Sequence, residues 1–255
     1  MTIDTSPTLF LDPTSEPSRA VHWFCEEASI PIRIERIYLT RDEHLAADFV
    51  AVNPRHQVPA LLHRDRALSE ATAIMRYLAE LNACEARWLG NNITGRARIN
   101  QLLSWYHTNL RLKVTLNYFL PVLLAPAYVG AGRPDAARVD RKREAFRETL
   151  LQLDTFLGGT GFLAGSEPTI PDLLFASELV ALDADPDRDN YLQGHGNVCD
   201  WLGRMRELPG YATVHACWSA VAEHMLDMPG GEAAAPRDPT WVAELCERVD
   251  QEGKT

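Results

Sequence analysis

The chain has 255 residues, enough for one large domain or two smaller ones, and its 46% hydrophobic and 24% charged content is typical of a soluble globular protein. Its net charge of −10 argues against nucleic acid or an anionic membrane as a main partner, because both are bound by basic surfaces. No apolar run approaches the ~18 residues of a membrane span and the first residues lack a signal-peptide pattern, so we expect a cytoplasmic protein with no membrane partner.

The cysteines point to neither a disulfide framework nor a zinc site. There are five of them, an odd number, and no two have the C-x-x-C spacing: Cys25, Cys84, Cys199, Cys217 and Cys246. Cys25 and Cys217 lie on helical patterns, and we expect both to be small core residues.

The first predicted elements bring a serine to the start of a helix. Leu9-Phe10-Leu11 predicts a short strand, and the apolar spacing from Val21 to Ala28 predicts a helix with Pro17 in its first turn. The loop between them delivers Ser15 to a helix N-terminus, a place that can hold an anion and lower the pKa of a thiol. Local sequence alone favours a simple N-cap role for Ser15.

A second strand is expected over Ile32–Leu39, followed by a loop that runs into a short helix. The loop contains His44, which local sequence alone would leave as a solvated histidine.

A distinctive stretch follows, in which a loop ends at Gln57-Val58-Pro59-Ala60-Leu61. Proline removes a ladder donor, and X-Pro bonds are the ones that can be cis. A cis Val58-Pro59 bond would leave the Val58 backbone groups at a strand edge, where they could pair with an extended peptide. After a polar turn and a short returning strand, Ser69 precedes a helix over Glu70–Leu81. Its N-terminus offers free N–H groups and a positive dipole to an anion, beside the Glu70 carboxylate.

From Arg96 onward the sequence predicts only helices, and Pro121 and Pro126 are expected to break the long helix or its successor. We divide the chain into an α/β domain (7–82), a linker (83–95), an all-helical domain (96–228), and a tether with a tail (229–255). Thr169 and Asp172 have the spacing of a capping box and are interpreted as structural. The segment Trp241 to Val249 predicts either a small helix that packs back or a loose tail.

Several runs together resemble the glutathione transferases, and the theta class in particular. The Gln57-to-Leu61 run and the Ser69-to-Ile74 run match signature runs of the family, with Ala71 where the family usually has serine. The stretch from Leu9 to Ala20 and the run Trp105-Tyr106-His107-Thr108-Asn109-Leu110-Arg111 resemble theta-class sequence. The resemblance implies a thioredoxin-like α/β domain followed by an all-helical bundle domain, an active site between them, and a homodimer.

The resemblance also implies roles for individual residues. Ser15 would donate a hydrogen bond to the glutathione sulfur, and Arg111 would point toward it, although the local pattern alone favours a surface arginine paired with an acid. His44 and Gln57 would bind the glycine carboxylate of glutathione, and Val58 and Pro59 its peptide backbone. Glu70 and Ala71 would lie at its γ-glutamyl end. The electrophile would be bound by the helical domain, with Tyr106, Tyr118 and Phe119 as candidates. His107 is interpreted as a packing or hydrogen-bonding residue rather than a base. No metal is implied.

The predicted function is transfer of an activated glutathione thiolate to an electrophilic carbon of a small hydrophobic molecule. One alternative is a glutathione-dependent isomerase or biosynthetic tailoring enzyme on the same fold. Another is a non-catalytic binding module, for which Ala71 would be an early sign of decay.

Overall fold

Four short strands form one mixed sheet in the first third of the chain. The computed structural model describes residues 6–129, 131, 134–228 and 238–253. The strands are β1 Thr8–Leu11, β2 Arg33–Arg36, β3 Ala60–His63 and β4 Arg66–Ser69, in the order β2-β1-β3-β4. β1 pairs in parallel with β2 and antiparallel with β3, and β3 pairs antiparallel with β4. The expected α/β unit is confirmed, but its second strand ends before the predicted limit because Leu39–Arg41 forms a 3₁₀ turn.

Helices make up most of the remainder. They are α1 Glu16–Glu27, α2 Ala47–Val52, α3 Ala71–Leu81, α4 Glu85–Trp88, α5 Ile93–Tyr106, α6 Ala125–Val129, α7 Ala136–Leu157, α8 Ile170–Val180, α9 Arg188–Leu192, α10 Gly196–Arg206, α11 Tyr211–Asp227 and α12 Thr240–Glu252. Beyond β4 the described residues form helices, turns and one isolated bridge, which confirms the helical second half. The stretch 83–95 contains α4 and the start of α5. No described helix is both long and apolar enough to cross a membrane.

The prediction that prolines break the long helix was wrong. α5 continues without interruption into a π-helical segment, His107–Leu124, and then into α6. Pro121 lies inside this segment, where the wider winding replaces the i→i−4 ladder that proline normally interrupts. Pro126 lies just beyond the point where the winding changes from π to α. The uninterrupted helix carries Arg111 to the sheet domain.

Helix α1 is the main contact between the two halves, since it packs on α8 and α11. The fully buried guanidinium of Arg19 donates from Nη1 to the Thr14 carbonyl oxygen at 2.5 Å and from Nη2 to the Ser177 carbonyl oxygen at 3.1 Å. At the other end of α1, Glu27 accepts a hydrogen bond from the Gly210 N–H at 2.8 Å. The two halves are thus joined by polar contacts as well as by apolar packing.

The C-terminal segment forms a helix that packs back on the protein. In α12, Glu247 forms a bidentate ion pair with Arg41 at 2.5 and 2.8 Å, and Trp241 lies edge-on to Tyr128 with ring centroids 5.7 Å apart. Cys217 is a buried core residue, as expected, but the cysteines do form one disulfide, which joins Cys217 to Cys246 and was not expected. The pairing was hidden in the sequence since 29 residues separate the partners. The predicted tether, apart from residues 238 and 239, lies outside the described residues.

Candidate active site

A cavity of about 440 Å³ opens between the sheet domain and the π-helical segment. It is lined by Ser15, Pro17, Leu39, His44, Arg55, His56, Gln57, Val58, Pro59, Ser69, Glu70, Ala71, Tyr106, His107, Arg111 and Leu116. Nine of the eleven residues predicted from the sequence therefore meet around one space.

Ser15 lies at the wall of this cavity, at the point where β1 passes into α1. The buried Asp12 shapes the loop: its Oδ1 accepts from the Thr14 N–H and hydroxyl, both at 2.7 Å, and its Oδ2 accepts from the Leu39 N–H at 2.8 Å. The Ser15 N–H donates to the Asp12 carbonyl oxygen at 3.1 Å, whereas its side chain makes no capping hydrogen bond. The hydroxyl is therefore left available to a ligand.

The loop before β3 presents its backbone at the same cavity. The Val58-Pro59 bond is cis, as considered from the sequence. Asn53 is buried and holds the loop, since its Nδ2 donates to the Gln57 carbonyl oxygen at 2.6 Å and its Oδ1 accepts from the Arg55 N–H at 3.1 Å. An internally bonded loop of this kind can offer Val58 to an extended ligand without rearrangement.

The start of α3 forms a third wall. Glu70 precedes the helix with φ of +71°, a left-handed conformation that costs free energy for a residue with a side chain. Its carboxylate accepts a hydrogen bond from Arg55 at 2.5 Å, on the protein surface. Ala71 is the first residue of α3 and leaves the helix N-terminus without a hydroxyl donor at this position.

His44 lines the cavity from the loop after the Leu39–Arg41 turn. Its Nδ1 is buried and has no hydrogen-bond partner among the described residues. A buried ring nitrogen without a partner costs free energy, so a ligand group at this place would relieve the cost.

Arg111 lies at the cavity with its guanidinium between two carboxylates. Its Nη1 is 3.0 Å from Oε2 of Glu16 and 3.0 Å from Oε1 of Glu178. Glu178 is fully buried and also accepts hydrogen bonds from the hydroxyls of Tyr106 and Thr115. The cation is thus engaged by the protein, in agreement with the local expectation of an arginine paired with an acid.

Burial and ion pairing shift the pKa values of Glu178 and Arg111 in opposite directions. Burial raises the pKa of Glu178, and the Arg111 charge opposes that rise. Burial alone would lower the pKa of Arg111, but the carboxylates of Glu178 and Glu16 outweigh it and raise the pKa. Burial also raises the pKa of Tyr106, so its hydroxyl remains a donor at neutral pH.

Two residues predicted to bind the electrophile, Tyr118 and Phe119, do not line this cavity. Tyr118 is fully buried, and its hydroxyl contacts Asp185 at 2.7 Å and Tyr191 at 2.9 Å. Phe119 is also buried, with its ring edge-on to Trp218. Both are accounted for by packing in the helical domain, and we omit them from the proposed site.

The structure also adds residues to the site that the sequence did not indicate. Glu16 and Glu178 hold Arg111, while Arg55, His56 and Leu116 line the cavity. His107, expected to pack or to form a hydrogen bond, is exposed and lines the cavity as well. Glu16 could have been noticed as an acid beside Ser15. No local sequence pattern indicates that Glu178 lies near Glu16. No group of three or more His, Cys, Asp or Glu side chains suited to a metal occurs in the described part of the chain.

Comparison with known families identifies both halves. Residues 14–81 match the glutathione S-transferase N-terminal domain model, and residues 114–209 match the C-terminal domain model. The chain is 31% identical over 206 residues to human glutathione S-transferase theta-2B, covering 79% of this chain and 81% of the relative. It is 35% identical over 215 residues to glutathione S-transferase T3 of Arabidopsis thaliana, covering 81% of this chain but only 36% of that longer protein.

Solved structures give the same answer for the fold. The apo form of human glutathione-S-transferase T1-1 superposes with a TM-score of 0.79 at 27% identity, covering 96% of this chain and 99% of that one. Human glutathione transferase theta-2, in complex with glutathione and an unknown ligand, gives a TM-score of 0.78 at 25% identity, covering 96% and 100%. The chain therefore belongs to the glutathione S-transferase family, and its relatives are of the theta class.

Proposed function

We propose that this protein is a glutathione transferase that activates the glutathione thiol and transfers the sulfur to an electrophilic carbon. The observation that carries the proposal is the meeting of nine sequence-predicted residues around one cavity, with the uncommitted hydroxyl of Ser15 among them. The glutathione held by the human theta-2 structure, which shares the fold, supports the same ligand here.

Glutathione would lie along the sheet-domain wall. Its γ-glutamyl carboxylate fits the N-terminus of α3 beside Glu70 and Ala71, since a helix start stabilises an anion. The Val58 backbone would pair with the cysteinyl peptide unit, and Gln57 with the unpartnered His44 would receive the glycine carboxylate. This order puts the thiol at the Ser15 end.

The chemical task is to make a thiolate near neutral pH, where a thiol of pKa about 8.5 is mostly protonated. The thiol proton leaves to solvent, and the Ser15 O–H donates a hydrogen bond to the sulfur anion. The thiolate then forms a carbon–sulfur bond as the leaving group departs with its electron pair, or as a double bond accepts the pair. Tyr106, His107 and Leu116 line the side from which the electrophile would enter.

The remaining assignments belong to the same proposal. We infer a division into 7–82, a linker 83–95 and 96–228, a homodimer, and a cytoplasmic location. Sedimentation equilibrium would test the dimer, limited proteolysis the division, and cell fractionation the location.

The decisive experiment has two stages. Calorimetry with glutathione, followed by the ultraviolet absorbance of the bound thiolate against pH, tests activation; an enzyme that binds no glutathione would refute the proposal. A panel of alkyl halides, enones and epoxides, with product masses, then separates conjugation from isomerisation. Isomerisation would return an unconjugated product and favour the tailoring alternative.

A further inference from the structure

We propose that Glu16 is a positioning residue: it holds Arg111 at the cavity and offsets part of the positive charge that would otherwise act on the glutathione sulfur. The inference rests on the proposed function, because it concerns the ionisation of the bound thiol. It assigns a role to a residue that the sequence alone left without one.

The geometry gives Glu16 a single strong partner. Its side chain is 6% exposed, and its Oε2 accepts from Nη1 of Arg111 at 3.0 Å. It directly follows Ser15 in the chain, so its carboxylate and the Ser15 hydroxyl are fixed by the same first turn of α1. Arg111 is 24% exposed and lines the cavity, whereas Glu16 is not among the lining residues.

Arg111 is surrounded by charged groups of both signs. Two carboxylates, Glu16 from α1 and Glu178 from α8, contact Nη1, and the buried cation Arg19 of α1 lies close enough to interact electrostatically with both. Arg19 also interacts with the carboxylate of Asp12. On the helix that carries Arg111, the hydroxyls of Tyr106 and Thr115 donate to Glu178, and His107 lines the cavity.

An arginine paired with carboxylates stabilises a thiolate less than a free arginine would. Neutralising Glu16 would remove one of the negative charges that offset Arg111, and a stronger positive field favours the ionised form of a thiol. Replacing Arg111 would be a poor test of this idea, because it would strand two carboxylates, one of them fully buried, and breaking such a pair is strongly destabilising.

The test is the glutathione thiolate band against pH in Glu16→Gln, which keeps an oxygen acceptor for Nη1 but removes the charge. We expect the midpoint to fall by about half a unit to one unit, since the lost carboxylate is a few ångströms beyond the guanidinium. Glu26→Gln is the matched control: it makes the same charge change on the exposed side of α1, ten positions and about 15 Å further along, and should leave the midpoint unchanged.

An unshifted or higher midpoint in folded Glu16→Gln would overturn the inference. If that variant does not fold, Glu16→Thr, which also retains an oxygen acceptor, is measured with the same two outcomes. Glu16→Asp, which keeps the charge, should restore the wild-type midpoint, and a midpoint that falls in Glu16→Asp as well would indicate a merely structural role. Absence of any glutathione binding by the wild type would instead refute the proposed function, and with it this inference.

Discussion

At the scale of single residues, substitution of Ser15 tests most directly whether its hydroxyl acts in catalysis or only caps helix α1. Its backbone begins α1, but its hydroxyl makes no capping hydrogen bond. Ser15→Ala should therefore lower kcat by about 10²–10³, the loss for one donor aimed at developing charge. The free energy of unfolding should stay near that of the wild type, whereas loss of a true cap costs about 1 kcal/mol.

The control for Ser15 is Ser104→Ala, because the Ser104 hydroxyl bonds only within α5, to the Asn100 carbonyl oxygen at 2.9 Å. Steady-state kinetics and urea unfolding of both variants give the comparison. Wild-type turnover in Ser15→Ala would remove the hydroxyl from the mechanism.

Ala71 is the residue at which this chain departs from its family's pattern, and a second prediction concerns it. Ala71→Ser should add one hydroxyl donor at the first position of α3 and lower the KM for glutathione about tenfold, since a hydrogen bond to a charged group is worth at least about 1.5 kcal/mol. Turnover at saturation should not change, because the γ-glutamyl end is remote from the sulfur.

Ala73→Ser provides the matched control for this prediction, since Ala73 lies on the exposed side of the same helix. It should leave the KM unchanged. A KM that does not fall in Ala71→Ser would show that the γ-glutamyl end is held in another way.

At this scale, the sequence could predict features that depend on neighbouring residues but not contacts between residues far apart in the chain. The roles proposed for Ser15, Gln57, Val58 and Pro59 rest on runs of neighbouring residues that resemble the family's signature runs, whereas local sequence alone favours a simple cap for Ser15. The pairing of Arg111 was expected in kind, but its partners Glu16 and Glu178 are 95 and 67 residues away and could not be named. Tyr118 was misplaced because an aromatic residue on a helix does not reveal which face is buried.

At the scale of elements, the helices that depend on local capping were predictable. Asp172 accepts from the Thr169 N–H at 2.8 Å, and also from the Leu163 N–H at 2.9 Å and Trp201 Nε1 at 3.0 Å. The first contact is the capping box read from the sequence, and the others tie α8 to its surroundings. The π-helical winding around Pro121 was not predictable, because proline alone gives no sign of a wider helix.

The docking of α12 is the element-scale feature that an experiment can isolate, through the disulfide between Cys217 and Cys246. Cys246→Ala should lower the free energy of unfolding by about 2–4 kcal/mol, because the bond restricts the unfolded chain. Thermal and urea unfolding would measure the change under oxidising conditions, and an excess of reductant should remove most of the difference from the wild type.

Cys199→Ala is the control for the disulfide, since Cys199 is free and exposed. It should unfold like the wild type in either condition. A Cys246→Ala variant as stable as the wild type without reductant would mean that non-covalent contacts hold α12, among them Trp241 and the ion pairs Arg41–Glu247 and Arg36–Asp250.

At the scale of the whole molecule, the contact between the two halves encloses an uncharged histidine. His215 of α11 is fully buried, with its ring 4.9 Å from that of Trp23 on α1 and stacked 4.4 Å from that of Tyr211. Its Nδ1 donates to the Tyr211 carbonyl oxygen at 3.0 Å, and its Nε2 has no partner among the described residues. Burial lowers the pKa of His215 to about 3, and the nearby Arg19 charge adds to this effect.

This buried histidine should make the protein sensitive to acid. In the unfolded chain His215 takes up a proton near pH 6.5, but in the folded protein only near pH 3, so the unfolded state binds more protons throughout that window. Its contribution to stability is complete above pH 6.5 and declines as the pH falls toward 3, by about 1.4 kcal/mol per pH unit.

His215→Phe keeps an aromatic ring and removes the titration, so its free energy of unfolding should fall less steeply between about pH 7 and pH 5. Urea unfolding at one fixed protein concentration measures both slopes, and His224→Phe, an exposed change on the same helix, should keep the wild-type slope. Parallel slopes for the wild type and His215→Phe would mean that the ring is solvated in the folded protein and that the two halves are less tightly joined at α1 and α11.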